Sequence, residues 1–261
     1  MKCRLCNGND LFLYYIQGHK GEYNYYKCRE CGLVNLDLDA LNIIENQQQF
    51  ADRFKTPVDY EGEKGAYDAF RFISKYVPDK GSHLDIGCGN GALLYFSRKH
   101  GWRVKGLELS TIFADYIKKT LDIDVEIGDF LQYDGTRAEF ELVSLRHVLE
   151  HLPDSVLALT KIRDLLKEKG YAHFEFPNIN SLSHYYQRFR DKIPFMRKRY
   201  PATFASGHCN QFSRRSFQYL LQKTGFKLVR WETYSFKPFR SYFFNHVHIG
   251  TKARAIVQRI N

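Results

Sequence analysis

Apolar residues along this chain keep changing their period. Phe70, Ile73 and Val77 recur at spacings of three and four, which predicts a helix stopped by Pro78. Beyond it, short apolar runs alternate with amphipathic stretches. Strands are expected at 83–87, 103–109, 125–127, 140–145 and 171–176, and helices at 92–100, 112–120 and 155–167. Strands separated by helices of this length need a parallel sheet covered on both faces, because every crossover re-enters the sheet from the same end. The alternation breaks after Asn178, where an aromatic and basic stretch runs to about residue 205. A helix is then expected at 215–224 with Gly225 as its C-cap, a strand at 226–234, and a hairpin partner for it at 242–249.

Composition sharpens this outline. At 261 residues, 44% hydrophobic and 26% charged, the chain reads as one α/β domain with an appendage. No apolar run reaches the ~20 residues of a membrane span. The start, Met-Lys-Cys-Arg-Leu-Cys, lacks the apolar core of a signal peptide, so a cytoplasmic, reducing setting is expected. Residues 37–62 are polar and Asn/Gln-rich and read as a linker or cover. The net charge of +10 is unevenly placed. Residues 184–261 carry 16 Lys/Arg against 2 Asp/Glu, leaving 23 basic and 27 acidic residues in 1–183. Such a field attracts phosphate-bearing partners (nucleic acid, a nucleotide- or lipid-linked substrate, an anionic membrane surface), or is simply a solvated basic face.

Four of the six cysteines fall in the first 35 residues, as Cys3-x2-Cys6 and Cys28-x2-Cys31 with 21 residues between the pairs. Each CxxC presents two thiolates to one ion, and two such knuckles complete a tetrahedral shell, so residues 1–36 read as a zinc module. Four thiolates leave no open position, which makes the expected zinc structural. Disulfides and a redox pair are the competing readings.

Residues 84–91, Leu-Asp-Ile-Gly-Cys-Gly-Asn-Gly, join a buried strand to a helix. Gly87, Gly89 and Gly91 let the backbone turn sharply and approach a ligand at the helix N-terminus. Asp85 lies in the strand and can anchor the turn. Glu108 ends the next strand, where a carboxylate can accept both ribose hydroxyl hydrogens. Asp129, with Phe130, follows the third strand, where an acid could meet an adenine amino group. Any one of these acids alone reads as a surface or capping carboxylate; three in order at successive strand ends point to a nucleoside-bearing cofactor.

Together with Leu165-Leu166-Lys167-Glu168-Lys169-Gly170, these motifs resemble those of class I S-adenosylmethionine-dependent methyltransferases, from about Glu63 to Tyr234. The resemblance implies a Rossmann-like, seven-stranded, mostly parallel sheet with helices on both faces and an antiparallel last strand, beside the N-terminal zinc ribbon. The methyltransferase domain would span 63–261, with an aromatic and basic insertion at about 179–206. Asp85, Gly87, Cys88, Gly89, Gly91, Glu108, Leu109, Asp129, Phe130 and Arg146 are the expected cofactor residues, with Cys88 read as a space-filler.

Acceptor chemistry is expected after the fourth strand, in Arg146-His147-Val148-Leu149-Glu150-His151-Leu152. His147, Glu150 and His151 could bind a metal or hold an imidazole ready as a base; they could equally only hydrogen-bond the loop. The Leu-Glu-His stretch resembles that of ubiquinone-biosynthesis O-methyltransferases, some of which bind a divalent cation with two acids and a histidine; here His147 stands where the first acid would be. Pro177-Asn178 and Gly207-His208-Cys209-Asn210-Gln211-Phe212-Ser213 resemble a branch associated with sugar, polysaccharide and lipid-linked substrates, and His208 is the second candidate base, or else a packing histidine. In the insertion, Tyr185, Tyr186, Phe189, Phe195, Tyr200 and Phe204 mix with Arg188, Arg190, Arg197, Lys198 and Arg199. That mixture suits a glycan on a phosphate-bearing carrier, RNA bases, or a membrane interface reached through residues 239–260. The expected reaction is methyl transfer to a small or carrier-linked acceptor, a sugar hydroxyl in surface-glycan or natural-product assembly. The alternatives are an RNA base methyltransferase, weakened by the absence of an Asn-Pro-Pro-Tyr-type motif, and a non-catalytic cofactor-binding scaffold.

Overall fold

The computed structural model describes residues 1–17, 23–38, 57–191, 193, 208–235 and 248–260. The chain begins with β1 (Leu11–Gln17), β2 (Tyr23–Cys28) and β3 (Val34–Leu36). It continues through α1 (Lys64–Tyr76), β4 (Ser82–Ile86), α2 (Ala92–Lys99), β5 (Arg103–Glu108), α3 (Thr111–Leu121), β6 (Val125–Ile127), β7 (Phe140–Arg146), α4 (Ser155–Leu165) and β8 (Leu166–Pro177). After α5 (Leu182–Asp191) come β9 (Asn210–Gln211), α6 (Arg214–Thr224), β10 (Phe226–Tyr234) and β11 (Lys252–Arg259).

The main sheet has seven strands in the order β10-β11-β8-β7-β4-β5-β6. The pairs β7–β8, β4–β7, β4–β5 and β5–β6 are parallel, whereas β11 runs antiparallel to both β8 and β10. Alternation along the strands sends residues to opposite layers. Val143 and Leu145 join Leu159 and Ile162 of α4 and Phe217 and Leu220 of α6, while Leu142 beside them joins Phe70 and Ile73 of α1 and Phe96 of α2. Helices cover both faces, as a parallel sheet requires. Among the described residues no helix is long and apolar enough to cross a membrane.

Local signals explain the helix ends. Val77 is extended, as a residue before Pro78 should be. Ser213 and Ser216 form a capping box at the start of α6, and Gly225 closes it in the left-handed conformation expected of it.

Three expectations change. Helix α4 stops at Leu165, and the strand begins at once at Leu166; Lys169 (φ 60°) and Gly170 sit inside it as an irregularity where the register shifts between Phe140 and Leu142. The partner of β10 is β11 rather than 242–249, of which 242–247 lie outside the described residues. Ala253, Ala255, Ile256 and Val257 are fully buried in β11, so the small side chains that hid this strand from a periodicity reading are what fit it between two neighbours. The cations read as a membrane-facing series at 239–260 are therefore partly internal. Arg254 pairs with Glu232 at 2.9 Å and lies 4.2 Å from the Phe72 ring centroid, and Arg259 donates to the carbonyls of Arg163 and Leu166.

The third change concerns the appendage. Strands β1, β2 and β3 form a four-stranded antiparallel sheet whose last member is β9, with Val34 opposite Gln211 and Asn35 opposite Asn210. Leu5, Leu33, Cys3, Cys28 and Cys31 belong to the same buried cluster as Phe212, Phe217 and Leu220. Burying one large apolar side chain is worth about 1.5–3 kcal/mol, so parting these surfaces would cost much of the 5–15 kcal/mol that typically holds a domain together. The N-terminal unit is an integral layer of the molecule.

Candidate active site

The carboxyl ends of β4, β5 and β6 make one side of the site. The turn after β4 is pinned by Gly87 N–H donating to Leu107 O at 2.7 Å and Gly89 N–H donating to Glu108 Oε2 at 2.8 Å. The other oxygen of Glu108 accepts from the N–H groups of Leu109 and Ser110 at 2.9 and 3.0 Å. Glu108 is thus fixed against both turns, with lone pairs left for a ligand. Among the described residues a Cβ on Gly89 (φ 54°) would meet nothing within 4 Å, whereas one on Gly87 (φ 66°) would lie 2.4 Å from Val148 Cγ2. Gly89 therefore faces an open cradle, and Gly87 joins the turn to the loop after β7. Gly91 caps α2 in the left-handed conformation.

Asp85 is buried, and burial pushes its carboxyl up to about 7. Ser144 Oγ donates to it at 2.5 Å, His83 Nε2 lies 2.7 Å from Ser144 Oγ, and His83 Nδ1 lies 3.0 Å from Ser97 Oγ. Burial holds His83 down to about 3, so the ring is neutral, and the chain runs from Ser97 through His83 and Ser144 to Asp85. Asp129 is exposed and accepts from Leu131 N–H at 2.9 Å. Phe130, expected over an adenine ring, is only 3% exposed and belongs to the core cluster. Leu109, Ile112 and Ile127 are the exposed apolar side chains at these strand ends. Cys88 packs inward, in the cluster with Leu94 and Ile117.

Residues at the end of the 37–62 linker-or-cover segment and just beyond it lie against this turn. Tyr60 Oη donates to Asn90 O at 3.1 Å, its ring stacks on Tyr95, and Asn90 Nδ2 donates to Glu63 at 3.1 Å. Residues 39–56 of the expected linker lie outside the described residues.

The other side of the site follows β7. Arg146 Nε donates to the buried Glu175 at 2.9 Å; burial would raise Glu175, but Arg146 beside it leaves the carboxyl below its usual range. Arg146 therefore braces β7 against β8, with Asp85 in its field. His147 has φ 58°, and its ring spans Lys252 Nζ at 2.9 Å and Glu150 Oε1 at 3.4 Å. A donating Lys252 leaves the proton on Nδ1, which can then donate to Glu150. Glu150 is 1% exposed, and its Oε2 has no partner among the described residues.

His151 and His208 lie edge to face with centroids 4.7 Å apart. One donor atom each from Glu150, His151 and His208 fall within 4.8 Å of one another. Two imidazoles and a carboxylate could hold a divalent cation or receive a proton. The fold thus brings His208 to Glu150 and His151 from a segment far along the chain, while His147 bridges Glu150 and Lys252 and is not among the three clustered donors. Burial pushes His208 down to about 4, so its ring is neutral near pH 7.

Cys3, Cys6, Cys28 and Cys31 form a second donor group, also within 4.8 Å of one another, with Cys3 Sγ and Cys31 Sγ 3.5 Å apart, as are Cys6 Sγ and Cys28 Sγ. Asn35 Nδ2 approaches Cys3 Sγ at 3.7 Å. The four side chains fit a small zinc-binding module.

A family model described as a methyltransferase domain matches residues 59–230. The chain belongs to this methyltransferase family. The ubiquinone biosynthesis O-methyltransferase of Coxiella burnetii is 29% identical over 122 residues, covering 44% of this chain and 52% of that protein. The enzyme of the same name from Nitrosospira multiformis is 28% identical over 167 residues, covering 59% and 67%. For the first of these, the methyltransferase matches about half of the relative's length. Among solved structures, an S-adenosylmethionine-dependent methyltransferase from Archaeoglobus fulgidus aligns with a TM-score of 0.55 at 18% identity, covering 76% of this methyltransferase and 94% of that chain. One from Mesorhizobium loti aligns with a TM-score of 0.58 at 16% identity, covering 77% and 100%. At these identities the structural likeness speaks for the fold.

Proposed function

We propose that this methyltransferase moves the methyl group of S-adenosylmethionine to a hydroxyl of a small or carrier-linked acceptor, most simply a sugar. The observation that carries this reading is the closeness of Gly87 to Val148: a Cβ on Gly87 would lie 2.4 Å from Val148 Cγ2, so the expected cofactor turn lies against the loop that leads into the Glu150–His151–His208 group. Asp85, Gly89, Glu108, Leu109 and Asp129 would hold the cofactor: an open backbone cradle, a carboxylate fixed by three backbone N–H groups, and a second acid at the next strand end fit a nucleoside joined to an amino acid. When bound, the cofactor supplies a sulfonium methyl group open to in-line attack.

The chain's own part is to hold the acceptor oxygen about 3 Å from that carbon and to take its proton. His208 and His151, whose rings meet edge to face beside the buried Glu150, are the groups we assign to accept it. Exposed Tyr185, Tyr186 and Phe189 on α5 offer faces on which sugars stack. Of the rest of the insertion, Arg190 and Arg188 lie on α5, while Phe195, Arg197, Lys198, Arg199, Tyr200 and Phe204 lie outside the described residues. The name of the matching relatives supports O-methylation over N- or C-methylation. We also infer that the four-cysteine group holds a structural zinc ion, because four thiolates fill a tetrahedral shell.

The test is transfer of a tritiated methyl group from S-adenosylmethionine into fractionated cell extract. Label in the glycan or lipid-linked glycan fraction is expected; label confined to RNA, or no label in any fraction, overturns the reading.

A further inference from the structure

The N-terminal unit does not merely cover the sheet; it reaches the acceptor pocket through one side chain. Arg4 sits between Cys3 and Cys6, inside the first knuckle. Its Nε donates to Asn210 Oδ1 at 3.2 Å, its Nη1 to Leu36 O at 2.8 Å, and its Nη2 to Cys209 O. Its backbone N–H donates to Asn35 Oδ1 at 3.0 Å, and Asn35 also contacts Cys3 Sγ. A planar fork of fixed donors is what such a set of acceptors needs; a lysine could satisfy only part of it.

The groups that Arg4 holds are themselves attached to both candidate bases. Asn210 Nδ2 donates to Leu152 O at 2.7 Å and to Pro153 O at 3.4 Å, and Cys209 Sγ donates to His151 O at 3.5 Å. Cys209 follows His208 directly, and Leu152 follows His151 directly. Two segments distant in sequence are thus tied to one guanidinium, and their histidine rings meet edge to face. Leu36 N–H also donates to Cys209 O at 2.9 Å, so β3 and Arg4 grip the same carbonyl.

We propose that Arg4 is a positioning residue of the acceptor pocket, locking the His151 and His208 backbones in register from within the cysteine knuckle. This rests on the assignment of those histidines to the acceptor side. The inference gives the N-terminal unit a task in the reaction: its knuckle fixes Arg4, Arg4 fixes Asn210 and Cys209, and these fix the two imidazoles. Cofactor contacts at Gly89 and Glu108 lie on other strand ends and have no share in the relay.

The test uses the full chain, as Arg4→Gln, Arg4→Lys and Asn210→Ala. Ring resonances of nitrogen-15-labelled histidines, assigned by single substitutions, give a readout that needs no acceptor. In Arg4→Gln and Asn210→Ala the His151 and His208 signals should move while those of buried His83 and His173 stay, with bound zinc and cofactor affinity within about twofold of wild type. Arg4→Lys should fall between. Where a labelled acceptor exists, kcat should drop on the order of 100-fold with the KM for cofactor unchanged, the loss expected when a reacting group is misplaced by about 1 Å. Unmoved His151 and His208 signals in Arg4→Gln, or signals that move in Asn210→Ala alone, would overturn the proposal, because Asn210 bonds Leu152 and Pro153 without help from Arg4. So would a general shift of all histidine signals. Neither result depends on whether the acceptor is a sugar.

Discussion

At the scale of single residues, the chain places groups under electrostatic load where a ligand would relieve it. Asp85 ionises in the folded state only near pH 7, well above the ~3.9 of an unfolded aspartate. Between these values the unfolded chain binds fewer protons, so the ligand-free protein should lose stability as pH rises from about 4 to 7, on the order of a few kcal/mol. Thermal unfolding of Asp85→Asn should show a much flatter pH dependence over that range, with cofactor affinity reduced at least tenfold; an unchanged slope would contradict the burial argument. Gly87→Ala should be costly for the fold itself, about 1–3 kcal/mol, because φ 66° and the Val148 contact both oppose a Cβ. Urea denaturation measures that loss. The three acids proposed for the cofactor stand out in the sequence because they recur at strand ends in order. Lys252, Asn210, Arg4 and Tyr60 were not, since each gains its meaning from a partner far along the chain, as Lys252 does from His147.

At the scale of elements, β4 announced itself through Leu84 and Ile86, which share one buried face. Among the strands that escaped, which include β1, β2 and β3, two have plain physical reasons. Strand β9 has two residues, too few for any period. In β11 small alanines alternate with Arg254, a charged residue that reads as exposed and is in fact paired with Glu232 between Phe72 and Tyr234. Arg254→Met should therefore destabilise by about 1–2 kcal/mol. The usual cost of removing one partner of a buried pair is larger, but Arg254 keeps some exposure and Arg230 remains 3.0 Å from Glu232. Adding Glu232→Leu should return part of the loss. A urea midpoint for the single mutant indistinguishable from that of wild type would show the pair to be solvent-screened.

At the scale of the whole molecule, the four-cysteine unit and the rest of the chain share one buried cluster, the β3–β9 ladder and the Arg4 link. Lys223 of α6 also donates to Leu5 O at 2.9 Å, and Arg215 donates to the carbonyls of Arg29 and Glu30. Cations that gave the last third of the chain its positive sign are in part spent in this way on carbonyls of the N-terminal unit. Metal removal by a strong chelator should then lower the midpoint of a single calorimetric transition. Two separate transitions, one unaffected by chelator, would show the unit to be an independent domain.

The claim on which the rest depends is that the open cradle at Gly89 receives S-adenosylmethionine. Isothermal titration calorimetry of the wild-type chain and of Gly89→Ala tests it directly, because a Cβ there meets no atom of the described residues, so that beyond the backbone strain its effect falls on the ligand. Saturable one-to-one binding by wild type, weakened at least tenfold in Gly89→Ala beyond the loss of stability of about 1–2 kcal/mol that a Cβ at φ 54° costs, is the predicted result. No binding by the wild type, or equal binding by both, would contradict it.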